Sequence, residues 1–440
     1  MKHKPVFWLV LVVLVTAFAS PASAEPIPIS LKEAVDLAVA QNLGYQLALW
    51  EHELTSREQQ LTDKTPTVNF SAVPIEARDG SINPAKGNVT INIPLGDHTT
   101  LKGILDVQTH KFEFEAKSKV GVTLDYDFFK PDSVEQQSPR DPLITLTNEL
   151  ILSVAGTLVS LNKQINYFAL EEMRLAYLEE VHRAAVIKEQ TAQIQQLKQQ
   201  LYDTETKISD YKMSIKQQNI ELNNLLNTAG INYLPVINPK EYQLEHDQQQ
   251  LIDLALAASD QRSQALAAVE RAENELSAVE ASAGWSVTGT ADLWWDIDFK
   301  QSPTWSVVVT ANKSLYPPSL QKEKNELKLA QAQLRLAEIE KNTADQVMQL
   351  VQKLELLTAQ RQQLEDDLAA AHQDLEISRK HLDVGLATEL QLTEDQLELV
   401  RLQTNLIHNQ YDQLIAVMQL MNLCGYDLNT LLAELVNEEG

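Results

Sequence analysis

The sequence predicts a mainly α-helical protein with a β-barrel part, built from a duplicated unit of helix, strand pair and long helix. Three observations carry that prediction. The hydrophobic period switches from helical to two and back again, twice along the 440 residues. Two segments alternate apolar with charged or hydroxylated residues, as strands between an apolar and a wet face must. The helical segments that follow keep a 3-4 apolar spacing for longer than a compact core can use.

The first residues are set apart before any fold is read. Lys2 and Lys4 precede an apolar run from Val6 to Phe18, followed by Pro21 and Ala22-Ser23-Ala24. Residues 1–24 therefore read as a secretory signal cleaved before Glu25; the run is short for spanning a bilayer, and an uncleaved anchor is the minor alternative. No cysteine stands at the cleavage site to carry a lipid. Cys424, the single cysteine, reads as a small core residue, so no internal disulfide is available. The net charge of −25 becomes −27 once Lys2 and Lys4 are removed, which repels nucleic acid and anionic lipid. No later segment reaches the roughly 18 to 20 apolar residues of a transmembrane helix, so any entry into a membrane is as β-strands.

The first repeat, residues 25–230, opens with a helix. Ser30 with Glu33 three residues on forms a capping-box pattern, and the helix is expected to run to about Lys64, where Pro66 stops it. Between Thr67 and Pro142 the period is two, through Val68/Phe70/Ala72, Val89/Ile91/Ile93/Leu95 and a long alternation from Phe112 to Phe128. The helical period returns from Leu143 to about Thr228 and ends at Gly230. Residues 231–249, with Pro235 and Pro239, read as a connector.

The second repeat and a C-terminal tail occupy residues 250–440. Ile252-Asp253-Leu254-Ala255-Leu256-Ala257 lines up with Val35-Asp36-Leu37-Ala38-Val39-Ala40, and strands again follow the helix. Trp285/Val287/Gly289/Ala291/Leu293/Trp295 fall on one face, and a turn leads to Trp305/Val307/Val309/Ala311. Trp285, Trp294, Trp295 and Trp305 are expected as membrane-interface aromatics, where an apolar ring and a polar N–H are both satisfied. A soluble two-stranded layer with aromatic packing is the alternative. Two strands per repeat cannot hide their edges, so a membrane reading forces oligomerisation.

The last helical region is the most regular. Positions 347, 350, 354, 357, 361, 364, 368, 371, 375, 378 and 382 keep the spacing of a coiled-coil seam. The pattern breaks at Val384-Gly385-Leu386-Ala387-Thr388 and resumes from Leu390 to Met421. The incoming helix alone, Ser319 to His381, would extend about 95 Å at 1.5 Å per residue. A glycine inside such a run marks a turn.

Together, the opening SLKEAVDLAVAQN, the proline-terminated first helix, the duplication and HLDVGLATELQLTEDQLELVRLQTNLIHNQYDQLIAVMQLMNLCG resemble the TolC family of outer-membrane efflux proteins. The resemblance covers essentially the whole mature chain. It implies a homotrimer in the outer membrane, each chain giving four strands to one 12-stranded barrel, with an α-helical tunnel in the periplasm. Residues 384–388 would form the periplasmic tip that docks an adaptor protein. Family acids that ring the pore constriction fall here on Gln391 and Glu394, so one of the pair is neutral; the family's latching tyrosine and arginine fall on Leu382 and Ala387. The first repeat departs: the position matching Gly385 is Gln190, within Glu189-Gln190-Thr191-Ala192. Its helical region is about 20 residues shorter and its strand region about 40 longer, an excess that an extracellular loop, an extra hairpin such as Val89–Val107, or strand extended below the membrane would each account for.

Enzymatic chemistry is not written in the chain. There is no phosphate-binding glycine loop, no nucleophile–base pair and no zinc spacing; the histidines read as solvated helix residues and Asp292, Asp296 and Asp298 as strand-end polar residues. The expectation is no enzyme, no metal and no cofactor. The implied function is a passive exit duct of a tripartite efflux or type I secretion system, fed by a periplasmic adaptor and an inner-membrane transporter. A structural coiled-coil protein tethering the outer membrane without a conducting lumen is the alternative.

Overall fold

The computed structural model describes residues 26–62, 67–73, 77–78, 81–82, 85–95, 99–110, 113–114, 118–128, 139–189, 191–241, 246–282, 285–296, 302–313 and 318–436. The expected signal, residues 1–24, lies outside them. In chain order the first repeat holds β1 (Ile27–Ser30), α1 (Leu31–Gln41), α2 (Leu43–Thr62), β2 (Thr67–Val73), β3 (Ala77–Arg78) and β4 (Ser81–Ile82). It continues with β5 (Ala85–Pro94), β6 (Thr99–His110), β7 (Glu113–Phe114), β8 (Lys119–Asp127), α3 (Pro142–Ile187) and α4 (Thr191–Leu225). Then follow β9 (Tyr233–Val236), α5 (Gln248–Ala258), α6 (Asp260–Ser282), β10 (Trp285–Asp296), β11 (Thr304–Lys313), α7 (Pro318–Asp383), α8 (Glu389–Leu423) and α9 (Leu428–Leu435).

Each repeat starts with the same local device. The Ser30 hydroxyl accepts from Glu33 N at 3.2 Å while Ser30 N donates to the Glu33 carboxylate at 2.8 Å, which holds that carboxyl below its usual range. In the second repeat Asp247 and Gln250 make the same exchange at 2.8 and 3.3 Å. These boxes satisfy amides that a helix start leaves orphaned. Both leading helices are then 11 residues long and break, at Asn42 and at Ser259. The unbroken helices expected from Ser30 and from Gln250 are thus corrected. At the first break the Asn42 side chain both donates to Leu225 O and accepts from Tyr45 N, each at 2.8 Å, offering the backbone local partners that compete with a continuous helix.

The chain divides into two compact units. One combines the described residues up to Trp50 with Arg140–Ser259 and those from Asn342 onward. Its core gathers Leu31 and Val35 of α1, Ile151, Leu158 and Leu161 of α3, Leu222 of α4, Leu251 of α5, Met418 and Leu420 of α8, and Leu428 of α9, all buried. The connector is not structureless: β9 pairs in parallel with β1, Ile27 facing Tyr233 and Ser30 facing Val236. Helix α3 contains a stretch long and apolar enough to cross a membrane by composition, but its Ile151, Val154, Ala155, Leu158 and Leu161 are core residues.

The long helices follow the predicted seam. From Val351 to Leu382 the seam positions are buried or half-buried and, apart from Val351 itself, the residues between them are exposed. Arg361, the charged interruption in that seam, is held by the Glu241 carboxylate and lies 3.6 Å from Glu365. Helices α4 and α8 are both 35 residues, whereas α3 has 46 and α7 has 66, which places the 20-residue shortfall of the first repeat entirely in its incoming helix. Helix α4 ends on Asn227 in the left-handed region, φ 50°, where α8 ends on Gly425, φ 89°. Asn227, rather than Gly230, is therefore the first-repeat counterpart of Gly425.

The second unit, Glu51–Pro139 with Asp260–Lys341, contains the principal sheet. Its strands run in the order β11-β10-β8-β6-β5-β2, every neighbouring pair antiparallel, with the short β7 continuing along β6. The first repeat thus supplies four long strands and the second two. Of the three accounts of the longer strand region, the extra hairpin is the one observed: it is β5–β6, whose turn closes through Leu95 N to Thr99 O at 3.0 Å.

Asn148 joins the ends of the first unit's core. Fully buried, it donates to Asn422 Oδ1 at 3.0 Å and Tyr426 O at 2.8 Å and accepts from Leu428 N at 2.9 Å. Asn148→Leu strands those groups without partners, and we expect a loss of about 2 to 3 kcal/mol in unfolding free energy, read by urea denaturation.

Candidate functional site

Strand register sorts the sheet into two faces of opposite chemistry. Residues paired across strands share a face, so Val68, Ile91, Gly103, Val122, Leu293 and Trp305 form one continuous row. Ile93, Leu101, Leu124, Ala291 and Val307 form the next row on that face. One residue away, on the opposite face, Thr67, Asn92, Lys102, Thr123, Asp292 and Ser306 form a row that is polar throughout. Polar side chains there satisfy one another: Lys102 meets Asp125 at 2.6 Å, Thr290 donates to Asp125 at 2.9 Å, and Asp292 accepts from Thr123 at 2.6 Å and Ser306 at 3.2 Å. The apolar face is largely uncovered, with Phe70 77% and Trp305 75% exposed. A solvated protein does not leave such a surface bare.

Aromatic residues bracket that face. Trp285, Tyr126 and Phe128 lie toward the strand ends nearest the helix junctions, and Phe70, Trp295 and Trp305 toward the other end. From Trp285 to Trp295 is about 34 Å along the strand at 3.4 Å per residue. A tilt of about 40° reduces this to about 26 Å, matching the roughly 25 Å apolar band of outer-membrane barrels. Trp294 lies on the polar face instead, its ring over Gly121 so closely that a Cβ there would come within 2.5 Å of it. Lys313 sits over the Trp285 ring at 5.3 Å.

The turn between α7 and α8 is built by capping at both sides. Gly385 takes φ 74°, and Leu386 N and Ala387 N both donate to His381 O, at 2.8 and 3.2 Å. Thr388 caps α8 and exchanges hydrogen bonds with Gln391, the Thr388 hydroxyl accepting from Gln391 N at 3.3 Å and Thr388 N donating to Oε1 at 3.1 Å. Gln391 is thus a capping residue. Glu394 is exposed and lies near the Tyr177 hydroxyl of α3; burial first, and then this carboxylate, raise the Tyr177 pKa. Val384 and Leu386 project from the turn at 68% and 76% exposure.

The first repeat turns more tightly between α3 and α4, and Glu189 takes the left-handed conformation at φ 56°. Leu178, Ala185 and Leu197 form a small core beneath it, and Val186 and Ile187 are exposed there as Val384 and Leu386 are in the second repeat. Gln190 lies outside the described residues.

A groove of about 420 Å³ opens beside α7 and α8, lined by Tyr167, Leu357, Leu364, Asn405, His408 and Asp412 among others. His408 is 5% exposed, 3.5 Å from the Asn166 amide and edge-on to Tyr167 at 4.6 Å. Burial, reinforced by Lys163, pushes its pKa down to about 4. It is a buried neutral histidine, which corrects the solvated reading of the scattered histidines. Among the described residues no group of three His, Cys, Asp or Glu side chains could hold a metal ion.

By sequence, no family model and no curated protein matches the chain. By structure it is similar to CusC, described as undergoing transmembrane channel formation, at 14% identity and TM-score 0.55 over 93% of this chain and 95% of that one. It is similar to the CmeC outer membrane channel of Campylobacter jejuni at 12% identity and TM-score 0.56, over 90% and 85%. The outer membrane protein VceC of Vibrio cholerae follows at 14% identity and TM-score 0.54, over 90% and 96%. The chain has the fold of the TolC family.

Within that fold, the glycine turn at Gly385 was legible in the sequence; the Thr388–Gln391 cap, the left-handed Glu189 and the buried His408 were not. A glutamate gives no signal of positive φ, and His408 sits among Asn405, Asn409 and Gln410, which look solvated until α3 is packed against them. Two measurements follow. No atom would crowd a Cβ at Gly385, so Gly385→Ala costs only the backbone strain of about 1 kcal/mol, while Glu189→Gly relieves strain of similar size and raises the thermal midpoint. As pH falls from about 6.5 toward 4, the unfolded chain protonates His408 while the folded state does not, so stability drops by about 3 kcal/mol across that window. Urea midpoints at pH 7 and 4.5 should show that drop, reduced in His408→Gln.

Proposed function

We propose that this chain is an outer-membrane channel, acting as the passive exit duct of a tripartite efflux or secretion system. The observation that carries the reading is the sheet with one uncovered apolar face, aromatics at both its ends and a polar opposite face. Lipid satisfies the first and water the second. In this reading three copies close the wall, the paired long helices form a tunnel in the periplasm, and cargo arrives from an adaptor and an energised inner-membrane transporter. The exposed Val384 and Leu386, with Val186 and Ile187, offer the apolar points against which adaptor hairpins dock. The likeness to channels such as CmeC supports this reading, and so does the sequence at the tip.

Three copies of Glu394 around a narrow tip concentrate negative potential, with Tyr177 near each carboxylate. Gln391, tied into its capping box, contributes neither charge nor mobility there. In planar lipid bilayers the purified trimer is expected to open discrete cation-preferring channels. Glu394→Gln should lower the cation preference without altering assembly, whereas a folded trimer that never conducts would sink the duct reading.

A further inference from the structure

We infer that the sheet closes by pairing β2 of one copy with β11 of the next, so that each chain gives six strands to the wall and three copies give eighteen. This rests on the trimeric-duct reading and extends it. Among the described residues β2 pairs only with β5, and β11 only with β10, so both outer edges of the sheet are open. A hydrocarbon layer offers those backbone groups no partner, and only another strand can satisfy them. Because all five neighbouring pairs are antiparallel, β2 and β11, first and last of six, run in opposite directions. A rotated copy therefore presents its β11 to β2 in the antiparallel sense and keeps the alternation unbroken around the ring.

The β5–β6 hairpin cannot be set aside as a surface loop. Among the described residues it is the only link between β2 and β8: β5 makes its full ladder with β6, and β6 joins β8 from Thr99 to Asp106. Its residues keep the parity of the whole sheet, with Ile91, Ile93, Leu101 and Leu105 on the apolar face. Its turn at Leu95 lies at the same end as the start of β2 and the end of β8, so the insertion adds two strands without inverting any other. Barrel diameter grows roughly linearly with strand number, so the mouth is about 1.5 times as wide as a 12-stranded one. Asp106, Asp125 and Asp292, with Lys102 and Lys119, lie on the lumen side. Size selection then falls to the helical end of the duct.

The test is a direct image of the purified trimer in a lipid nanodisc, with strands counted around the barrel. Eighteen strands bear the inference out. Twelve strands with the hairpin displaced overturn it while leaving the duct reading intact, and a chain that forms no closed threefold wall overturns both. An independent measurement uses cysteine pairs, one at Val68 or Phe70 and one at Val307 or Val309. Oxidation is expected to yield covalent trimers from at least one pair and none when the first cysteine is moved to Leu105. Cross-linking through Leu105 instead, or through no pair on β2, contradicts the inference.

Discussion

A ladder of backbone hydrogen bonds cannot end in hydrocarbon, and on the proposed channel reading the rest of this structure is arranged around that constraint. The six long strands satisfy one another across five interfaces and leave two open edges, β2 and β11. Their side chains obey the same rule by sorting, with apolar rows on one face and polar rows on the other, in unbroken register from β2 to β11. On the duct reading proposed above, assembly of several chains follows from that geometry: an isolated copy would have the faces of a membrane wall and no means of closing it.

The helical unit solves a different problem, how to hold helices too long for one core. It does so with a dense apolar centre where α1, α3, α5, α8 and α9 meet, and with side chains that tie the ends of those elements together. Asn148 links α3 to the α8–α9 junction, Asn42 links α1 to the end of α4, and the short β1–β9 pair ties the two repeats at their beginnings. Away from that centre the helices rely on a narrow seam, with Arg361 neutralised by Glu241 and Glu365 where the seam turns polar. Local turn geometry then fixes where the chain reverses, through left-handed Gly385 and the Thr388–Gln391 box that starts α8 in one repeat and through left-handed Glu189 in the other.

Much of this was legible because it is written in periods and caps. The Ser30–Glu33 box, the duplication through Ile252-Asp253-Leu254 and the seam from Val347 all correspond to observed structure. The alternation between Thr67 and Pro142 was visible too, but strand count was not, since alternation records which face a residue occupies and not how often the chain reverses. Trp294 shows the limit of composition: a tryptophan beside Trp295 suggests an interface, yet one residue of register sends it to the polar face over Gly121. The breaks at Asn42 and Ser259 were hidden for a related reason, because a polar residue in a helical pattern reads as solvent-facing until its cap partners are known.

The opposed faces of the sheet are the centre of the account, and the tryptophans report on them. Variants retaining one tryptophan at a time, reconstituted with lipids brominated near the headgroup, measure contact of each ring with the bilayer by fluorescence quenching. Strong quenching of Trp285, Trp295 and Trp305 together with protection of Trp294 is the predicted result. Equal quenching of Trp294, or none at Trp305, would contradict it.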